Sequence, residues 1–557
     1  MRWRRESPLL RLVADSVDLS TMRRRESTSE GSGWSFATTP EFVVEAWVEA
    51  QRAEARTSAR DVLVTDDEGS VALFALSQAM RPAAVRRDIV VLAGKSRLLE
   101  YLWIAGTLDG LDYADEILID WEITLYRFAT RVITASHTAA TLLRRFGIRD
   151  DVEVIDIAQP GNATDSRLAP TKVWLSEPQS RRAQTAMILR ALADTLSNVS
   201  VVVSSRAEPD GIWAGTTMDA NSRLFEILGP RVSLARRTPR GISLILLGDP
   251  FALPDPDVSL LRNSGVPVAV PAGSTAASYW PESPTWSTEE DIIDIVDGRL
   301  PSTRDVAAGL SIIEALQIEN AKTESERARR VSVGVPVFRD VRFLDECVES
   351  ILGQSQPPCE LLLIDDGSQS PEVDDKLNGW ARKHSGLIRV IRQPNRGVCV
   401  ARNSMLDTMT GDAFLLVDAD DVLDSTFIEK TATALRANPG LDAVATWTEF
   451  FGKYCGVEAK PPFDARVGRR ENPIVSTCVL VDMAVRDRGI RFAPDLAFIY
   501  CEDWDFWAQI AATGGKFGLV PEPLARHRVH KASGGHRRTE LAHRIGKARA
   551  TARLQGL

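Results

Sequence analysis

The chain has 557 residues, 44% hydrophobic and 26% charged, with a net charge of −9, and that length calls for three or four units of roughly 150 residues each. The acidic balance argues against nucleic acid as a main partner, because neutralising phosphates needs a surplus of Lys and Arg on one face. No window approaches the ~20 uninterrupted apolar residues of a membrane span, and the N-terminus lacks the apolar core of a secretory signal, so a cytoplasmic protein without a transmembrane segment is expected.

Residues 1–40 mix arginine clusters such as Arg23–Arg25 with a few leucines and end in a Ser/Gly stretch. This is the composition of a solvated tail, with a peripheral contact to anionic lipid as the second reading. Over residues 41–165, the runs RDVLVTDD, RDIVVLAG, EILIDWE and ATRVITAS read as strands. After the turn-rich QPGNATD, residues 166–302 carry KVWLSE, VSVVVSS, ISLILLGD and VPVAVPAG, again strand-like. Two sheet domains with helices between their strands are expected. Residues 303–330 place apolar residues at helical spacing and then dissolve into charge, which reads as a helical linker. No repeat of solenoid period appears.

From residue 331 to 557 the strand candidates VSVGVPVF, CELLLIDDGS, LIRVIRQP and DAFLLVDADD alternate with the helix candidates FLDECVESILGQS, EVDDKLNGWARKH and VCVARNSMLDTMTG. That alternation builds a mostly parallel sheet covered by helices, and ligands of such sheets gather beyond the carboxyl ends of the strands. DDGS and DADD fall at those ends. The six cysteines, all in this part of the chain, show no CxxC spacing and no histidine placed to complete a zinc site, so they read as reduced core thiols.

FLLVDADDVLD ends an apolar run with four carboxylates, Asp418, Asp420, Asp421 and Asp424, within seven positions. Like charges so close cost energy unless a cation or solvent relieves them. A hard divalent ion takes oxygen ligands, and magnesium keeps open positions for substrate phosphates; a solvated acidic turn is the plain alternative. DDGS alone is as well explained by a helix-capping turn. In NRGVCVARN a glycine opens a helix, so that backbone amides and Arg402 could face an anion, although an ordinary helix start has the same letters. CEDWDFW sets Glu502, Asp503 and Asp505 among large rings, where a carboxyl pKa can rise towards that of a base; an exposed acidic helix start is the alternative. HRVH offers His527 and His530 as metal ligands or as surface residues.

In this order VSVGVPVF, LIDDGS, NRGVCVARN, VDADD, CEDW and RVH resemble a family 2 glycosyltransferase of the GT-A fold over residues 331–557. The resemblance implies an inverting, metal-dependent transfer of sugar from a nucleotide-diphosphate donor, a UDP-sugar in first place, to a hydroxyl of a glycan or lipid-linked acceptor. It implies Pro336 and Phe338 as the wall of the base site, Asp366 as its hydrogen-bond acceptor, and Arg402 as lining the donor site. Asp418 and Asp420 match the D-x-D motif that holds the ribose and a Mn²⁺ or Mg²⁺ ion, with Asp421 a neighbour. His530 resembles the histidine that approaches the metal, and Asp503 the general base, with Glu502 and Asp505 next in line. Trp504 or Trp507 would stack on a sugar or fill core.

The stretch WEITLYRFATRVITASHTAATLLRRFGIRDDVEVIDI, with NSGVPVAVPAG and IIDIVDGRLP, resembles a two-lobed GT-B glycosyltransferase of paired Rossmann-like domains. Departures from that pattern stand out. No pair matching the two glutamates that grip the donor in many such enzymes is evident near Leu260, and the nearest basic residues after KVWLSE are Arg181 and Arg182. A body that binds or orients acceptor glycan is therefore expected, against two alternatives: a bifunctional enzyme with a live N-terminal site, and an inactive glycan-binding scaffold. The fold class expected for the whole chain is α/β.

Overall fold

The computed structural model describes residues 63–66, most of 71–155, the strands and several helices of 172–296, residues 329–530 apart from 475–476 and 497–500, and residues 540–555. The expected tail 1–40, nearly all of the expected linker 303–330, and Arg181 and Arg182 lie outside the described residues. The chain divides into two compact units. Among described residues the first holds 63–66 and 89–296, and the second holds 71–88 and 329–555.

In the first unit, β1 (Leu63–Asp66), β2 (Ile89–Ala93), β3 (Arg131–Thr134) and β4 (Val152–Val154) form a parallel sheet in the order 1-2-3-4. A second parallel sheet runs β10-β9-β8-β5-β6-β7, from β5 (Lys172–Ser176), β6 (Ser200–Ser204), β7 (Val232–Ala235), β8 (Leu244–Leu247), β9 (Val268–Pro271) and β10 (Thr285–Trp286). Strands covered on both faces read as unbroken apolar runs, and Ile89–Ala93 and Leu244–Leu247 are buried along their whole length. One expected strand is corrected: EILIDWE lies inside a 16-residue helix, Tyr113–Phe128. Its apolar letters are short enough for a strand, but the flanks contain no glycine or proline to stop a helix, and Asp115 and Glu116 favour a helix first turn.

Hydrogen bonds link the two sheets of this unit. Thr138 N donates to Gly273 O at 2.9 Å, and Ser136 Oγ donates to the same oxygen at 3.1 Å. Gly273 has φ +68°, and a Cβ there would stand 2.9 Å from Thr138 Oγ1. Only glycine suits both the left-handed backbone and the close approach.

The second unit is built on a nine-stranded mixed sheet. The strands β11 (Val331–Val337), β12 (Glu360–Asp365), β13 (Ile388–Arg392) and β14 (Ala413–Leu416) are parallel, in the order 13-12-11-14. Beyond β14 the order continues through β18 (Leu480–Asp482), β16 (Ala443–Gly452), β19 (Phe517–Val529) and β15 (Val422–Leu423), with β17 (Gly456–Glu458) on β16. β14 pairs antiparallel with β18, while β16 and β19 run parallel through a register shift between Thr446 and Thr448. This curled, half-parallel half-antiparallel sheet is the GT-A arrangement that the motifs implied.

The helix Ala72–Ala79, α1, lies within the stretch expected to form the first lobe, yet belongs to the second unit. Ala72, Leu73, Phe74, Ala75 and Leu76 are buried, and the helix packs on β19. Asn438 Nδ2 donates to Ala79 O at 2.7 Å, and Met80 Sδ stands 3.0 Å from where a Cβ of Gly518 would be.

Candidate functional site

The parallel half of the second unit's sheet brings three strand ends together. β11 ends in Pro336, Val337 and Phe338; Pro336 is half-buried, while Phe338 is 40% exposed with the Arg339 guanidinium 4.8 Å from its ring centre. An exposed aromatic ring beside a strand end is a flat surface on which a planar group can stack.

β12 ends in the DDGS turn. Asp365 accepts from Ser368 N at 2.9 Å, a turn-closing bond. Asp366 is buried, and its Oδ1 accepts from Gln393 Nε2 at 2.8 Å and Arg396 N at 3.0 Å, while Oδ2 accepts from Gly397 N at 2.9 Å. The expected base acceptor therefore already organises the loop that opens the helix Val398–Thr408. Each carboxylate oxygen has two lone pairs, so one on Oδ2 is left by these bonds. Gly367, at φ +75°, lets this turn lie against Asn395, whose N would be 2.5 Å from an added Cβ.

β14 releases the DADD turn, and its four carboxylates divide by task. Asp424 is structural: its Oδ1 accepts from Thr426 N at 2.9 Å and Thr426 Oγ1 at 2.7 Å at the start of the helix Phe427–Ala437. Asp421 is fully buried and takes Arg528 N at 3.1 Å and His527 Nδ1 within 2.9 Å. Asp418 and Asp420 keep side chains 35% and 29% exposed. Asp420 Oδ2 lies 2.9 Å from His530 Nε2. The pairing of β15 with β19, Val422 with Arg526, carries the HRVH stretch to this turn. Arg528 fastens it, with Nε on Asp420 O at 3.0 Å, Nη2 on Glu346 at 2.6 Å, and its guanidinium 4.3 and 4.4 Å from the ring centres of Phe343 and Phe451. The two histidines thus do different things: His527 holds Asp421, and His530 meets Asp420.

Burial pushes Asp421 up to about 6 against the bond from His527, while burial alone would lower His527, which the hydrogen bond and charge of Asp421 instead raise to about 9. The imidazolium is the form the fold favours. Its contribution is complete below the unfolded value of about 6.5 and is lost as pH rises through about 9. The thermal midpoint of the wild type should consequently fall between pH 7 and 10 by more than that of His527→Gln; equal slopes would show that this pair does not hold the turn.

Arg402, expected to line the donor site, lies between the D-x-D turn and the helix that begins at Glu502. It is 2% exposed, with Nη2 on Asp418 Oδ1 and Nη1 on Glu502 Oε1, both at 2.8 Å. Burial opposes its charge, but the two carboxylates prevail and hold it more firmly protonated than a free arginine. Burial raises Glu502 in spite of the charge and hydrogen bond of Arg402. Glu502 opens the helix α14 (Glu502–Ala512), and the next residue is Asp503. Asp503 is half-buried, accepting from Asn472 Nδ2 at 3.0 Å on Oδ2 and from Trp504 N at 2.8 Å on Oδ1. Asp505 is buried under Arg549 and Arg553 of the C-terminal helix, at 3.2 and 2.5 Å. Trp504 donates to Gly468 O at 2.8 Å, and both Trp504 and Trp507 are buried, so they fill core instead of offering a sugar platform.

Sequence reasoning had no signal for Arg528, Asn472 or the Arg402–Glu502 bond. Each depends on residues brought from more than 30 positions away.

A divalent cation can be tested against the side chains present. Among the described residues no group of three or more His, Cys, Asp or Glu side chains is placed to enclose an ion. Asp420 Oδ2 and His530 Nε2, hydrogen-bonded at 2.9 Å, are an oxygen and a nitrogen donor of the types that divalent ions accept. The pair fits an ion whose remaining ligands come from water and a phosphorylated ligand.

Residues 332–473 match the family described as glycosyl transferase family 2. An uncharacterised glycosyltransferase of Haemophilus influenzae is 24% identical over 245 residues, covering 41% of this chain and 75% of that protein. Among solved structures, S. aureus TarS 1–349 in complex with UDP aligns at TM-score 0.31 and 20% identity, over 36% of this chain and 60% of that one. The mannosyltransferase PcManGT of Pyrobaculum calidifontis, in complex with GDP-Man and Mn²⁺, aligns at TM-score 0.32 and 18% identity, over 42% of this chain and 67% of that one.

Proposed function

We propose, from the premise that residues 332–473 are a glycosyl transferase family 2 domain, that this protein transfers a sugar with inversion. The donor is a nucleoside-diphosphate sugar, a UDP-sugar in first place, and the acceptor is a hydroxyl of a glycan or lipid-linked saccharide. The observation that carries this reading is the half-open pair Asp420–His530, 2.9 Å apart, beside Asp418 and across the strand ends from Phe338. Mn²⁺ or Mg²⁺ held by Asp420 and His530 would offset the charge that develops on the departing diphosphate.

The rest of the work falls to the chain itself. Phe338 offers its face to the base, with Pro336 behind it and Asp366 keeping the adjoining loop in place. Asp418, held on one oxygen by Arg402, turns the other towards ribose. Asp503 takes the acceptor proton: of the three acids at the start of α14, Glu502 is consumed by Arg402 and Asp505 by Arg549 and Arg553. Asn472 fixes the Asp503 carboxylate from one side.

The first unit is assigned an acceptor-binding or orienting role. Its two sheets are bonded to one another through Ser136, Thr138 and Gly273, at the segments that would have to part around a donor in a GT-B enzyme. This favours one transfer site over the bifunctional reading. The inactive scaffold reading is disfavoured by the full complement of carboxylates in the second unit. A cytoplasmic location, with peripheral membrane contact through the N-terminal arginines, completes the proposal.

Thermal shift with a panel of nucleoside-diphosphate sugars, with and without Mn²⁺, tests the assignment, since a ligand that binds the native state stabilises it by mass action. One donor is expected to raise the midpoint only with the ion. Asp420→Ala should lose that ion-dependent increment and at least about 100-fold of transfer. An Asp420→Ala protein that kept both would move the metal elsewhere.

A further inference from the structure

The ARN tripeptide, Ala401–Asn403, sits on the helix Val398–Thr408 and carries two connections to distant parts of the chain. Arg402 spans Asp418 and Glu502 with 2.8 Å bonds on separate nitrogens. Asn403 exchanges a reciprocal pair with the backbone of Phe492, Nδ2 to O and N to Oδ1, both at 2.9 Å. The Phe492 ring in turn lies 5.3 Å from the Arg402 guanidinium and stacks at 4.1 Å on Phe506 of α14. Two consecutive residues thereby reach α14 by two routes, one ionic and one through an aromatic pair.

Stability alone does not account for the ionic route. A buried ion pair repays its desolvation only in part, and apolar residues of similar volume often serve the fold as well or better. This network is also incompletely satisfied: Arg402 Nε and Glu502 Oε2 are buried and find no hydrogen-bond partner among the described residues. What a guanidinium supplies that an apolar contact cannot is direction, because its planar fork fixes the angle between the two carboxylates it holds. One of those carboxylates belongs to the D-x-D turn; the other precedes Asp503.

We infer that Arg402 and Glu502 are a positioning pair, which sets the start of α14 against the D-x-D turn so that Asp503 faces the carbon whose bond to the diphosphate breaks. The inference rests on the proposed transfer reaction. Neither residue has to touch donor or acceptor for it to hold. Displacement of a reacting group by about 1 Å costs on the order of 100-fold in rate, so a link of this kind shows in turnover before it shows in binding.

Glu502→Gln keeps an oxygen for Arg402 and removes the charge. In the full chain it should lower kcat by roughly 10- to 100-fold, with donor KM and the Mn²⁺-dependent thermal shift given by UDP within about twofold of wild type. Arg402→Lys keeps the charge but loses the planar fork that fixes the angle between the two carboxylates, and should lower kcat at least as far. The double variant should be no worse than Arg402→Lys alone, because both changes cut one link. Wild-type turnover in Glu502→Gln overturns the inference, as does a loss confined to donor KM, which would make Glu502 a donor ligand. Multiplicative losses in the double variant also overturn it, since the two residues would then act separately. A wild-type protein that transfers sugar from no nucleoside-diphosphate donor sinks the transfer reaction and this inference with it.

Discussion

Asp503→Asn is expected to lower kcat by about 10²- to 10⁴-fold, the range a positioned general base supplies, while leaving donor binding in place. The substitution is nearly isosteric, and its carbonyl oxygen can still accept one of the bonds now made by Asn472 Nδ2 and Trp504 N. It removes the ability to take a proton, which an alcohol needs as it attacks at neutral pH. The geometry narrows the candidates before any assay. Glu502 shares the first turn of α14 but is 8% exposed and bonded to a permanent cation. Asp505 is 2% exposed beneath two arginines. Normal turnover by Asp503→Asn, with the nucleotide-sugar thermal shift intact, would place the base outside this helix.

The parallel half of the second unit was legible because its strands are covered on both faces and so read as continuous apolar runs, each stopped by a recognisable turn. DDGS follows one and DADD another, so both acidic turns could be placed at strand ends from the sequence. The other half, which mixes antiparallel pairs with the parallel pair of β16 and β19, was not legible in this way. β16 and β19 pair residues more than 70 positions apart through a register shift, and nothing local announces which strand will be the neighbour. The roles within the acidic cluster were hidden for the same reason. Asp421 and Asp424 are chemically identical to Asp418 and Asp420, and only the arrival of His527 and Arg528 on one, and of the helix start at Thr426 on the other, separates the structural pair from the open pair. Arg402 was placed on its helix, but its bond to Glu502 was not legible, since that residue lies 100 positions away. EILIDWE was misread because a seven-residue window of apolar and acidic letters fits a strand or a helix, and the deciding information is the uninterrupted length around it.

Removing residues 71–88 is expected to unfold the second unit, although the family 2 match begins only at residue 332. Leu73, Phe74, Leu76 and Met80 are between 0 and 4% exposed. Burying four such side chains contributes on the order of 6–12 kcal/mol as an upper bound, at about 1.5–3 kcal/mol each. A domain has only about 5–15 kcal/mol of net stability to lose. The sheet side of the contact is shaped for the helix: Gly518 on β19 leaves the space that Met80 Sδ fills, and Asn438 spends a side-chain donor on Ala79 O. A chain beginning at residue 329 should therefore be insoluble or should unfold at low denaturant, and the same chain with residues 71–88 joined by a flexible linker should recover a cooperative transition. In the full-length protein Phe74→Ala should destabilise by about 3–5 kcal/mol, the cost of emptying a buried aromatic site, seen as a lower denaturant midpoint in a probe on Trp504 or Trp507. If the 329–557 chain unfolded with the same midpoint as that transition in the full protein, α1 would be a passenger on a sheet that is complete without it.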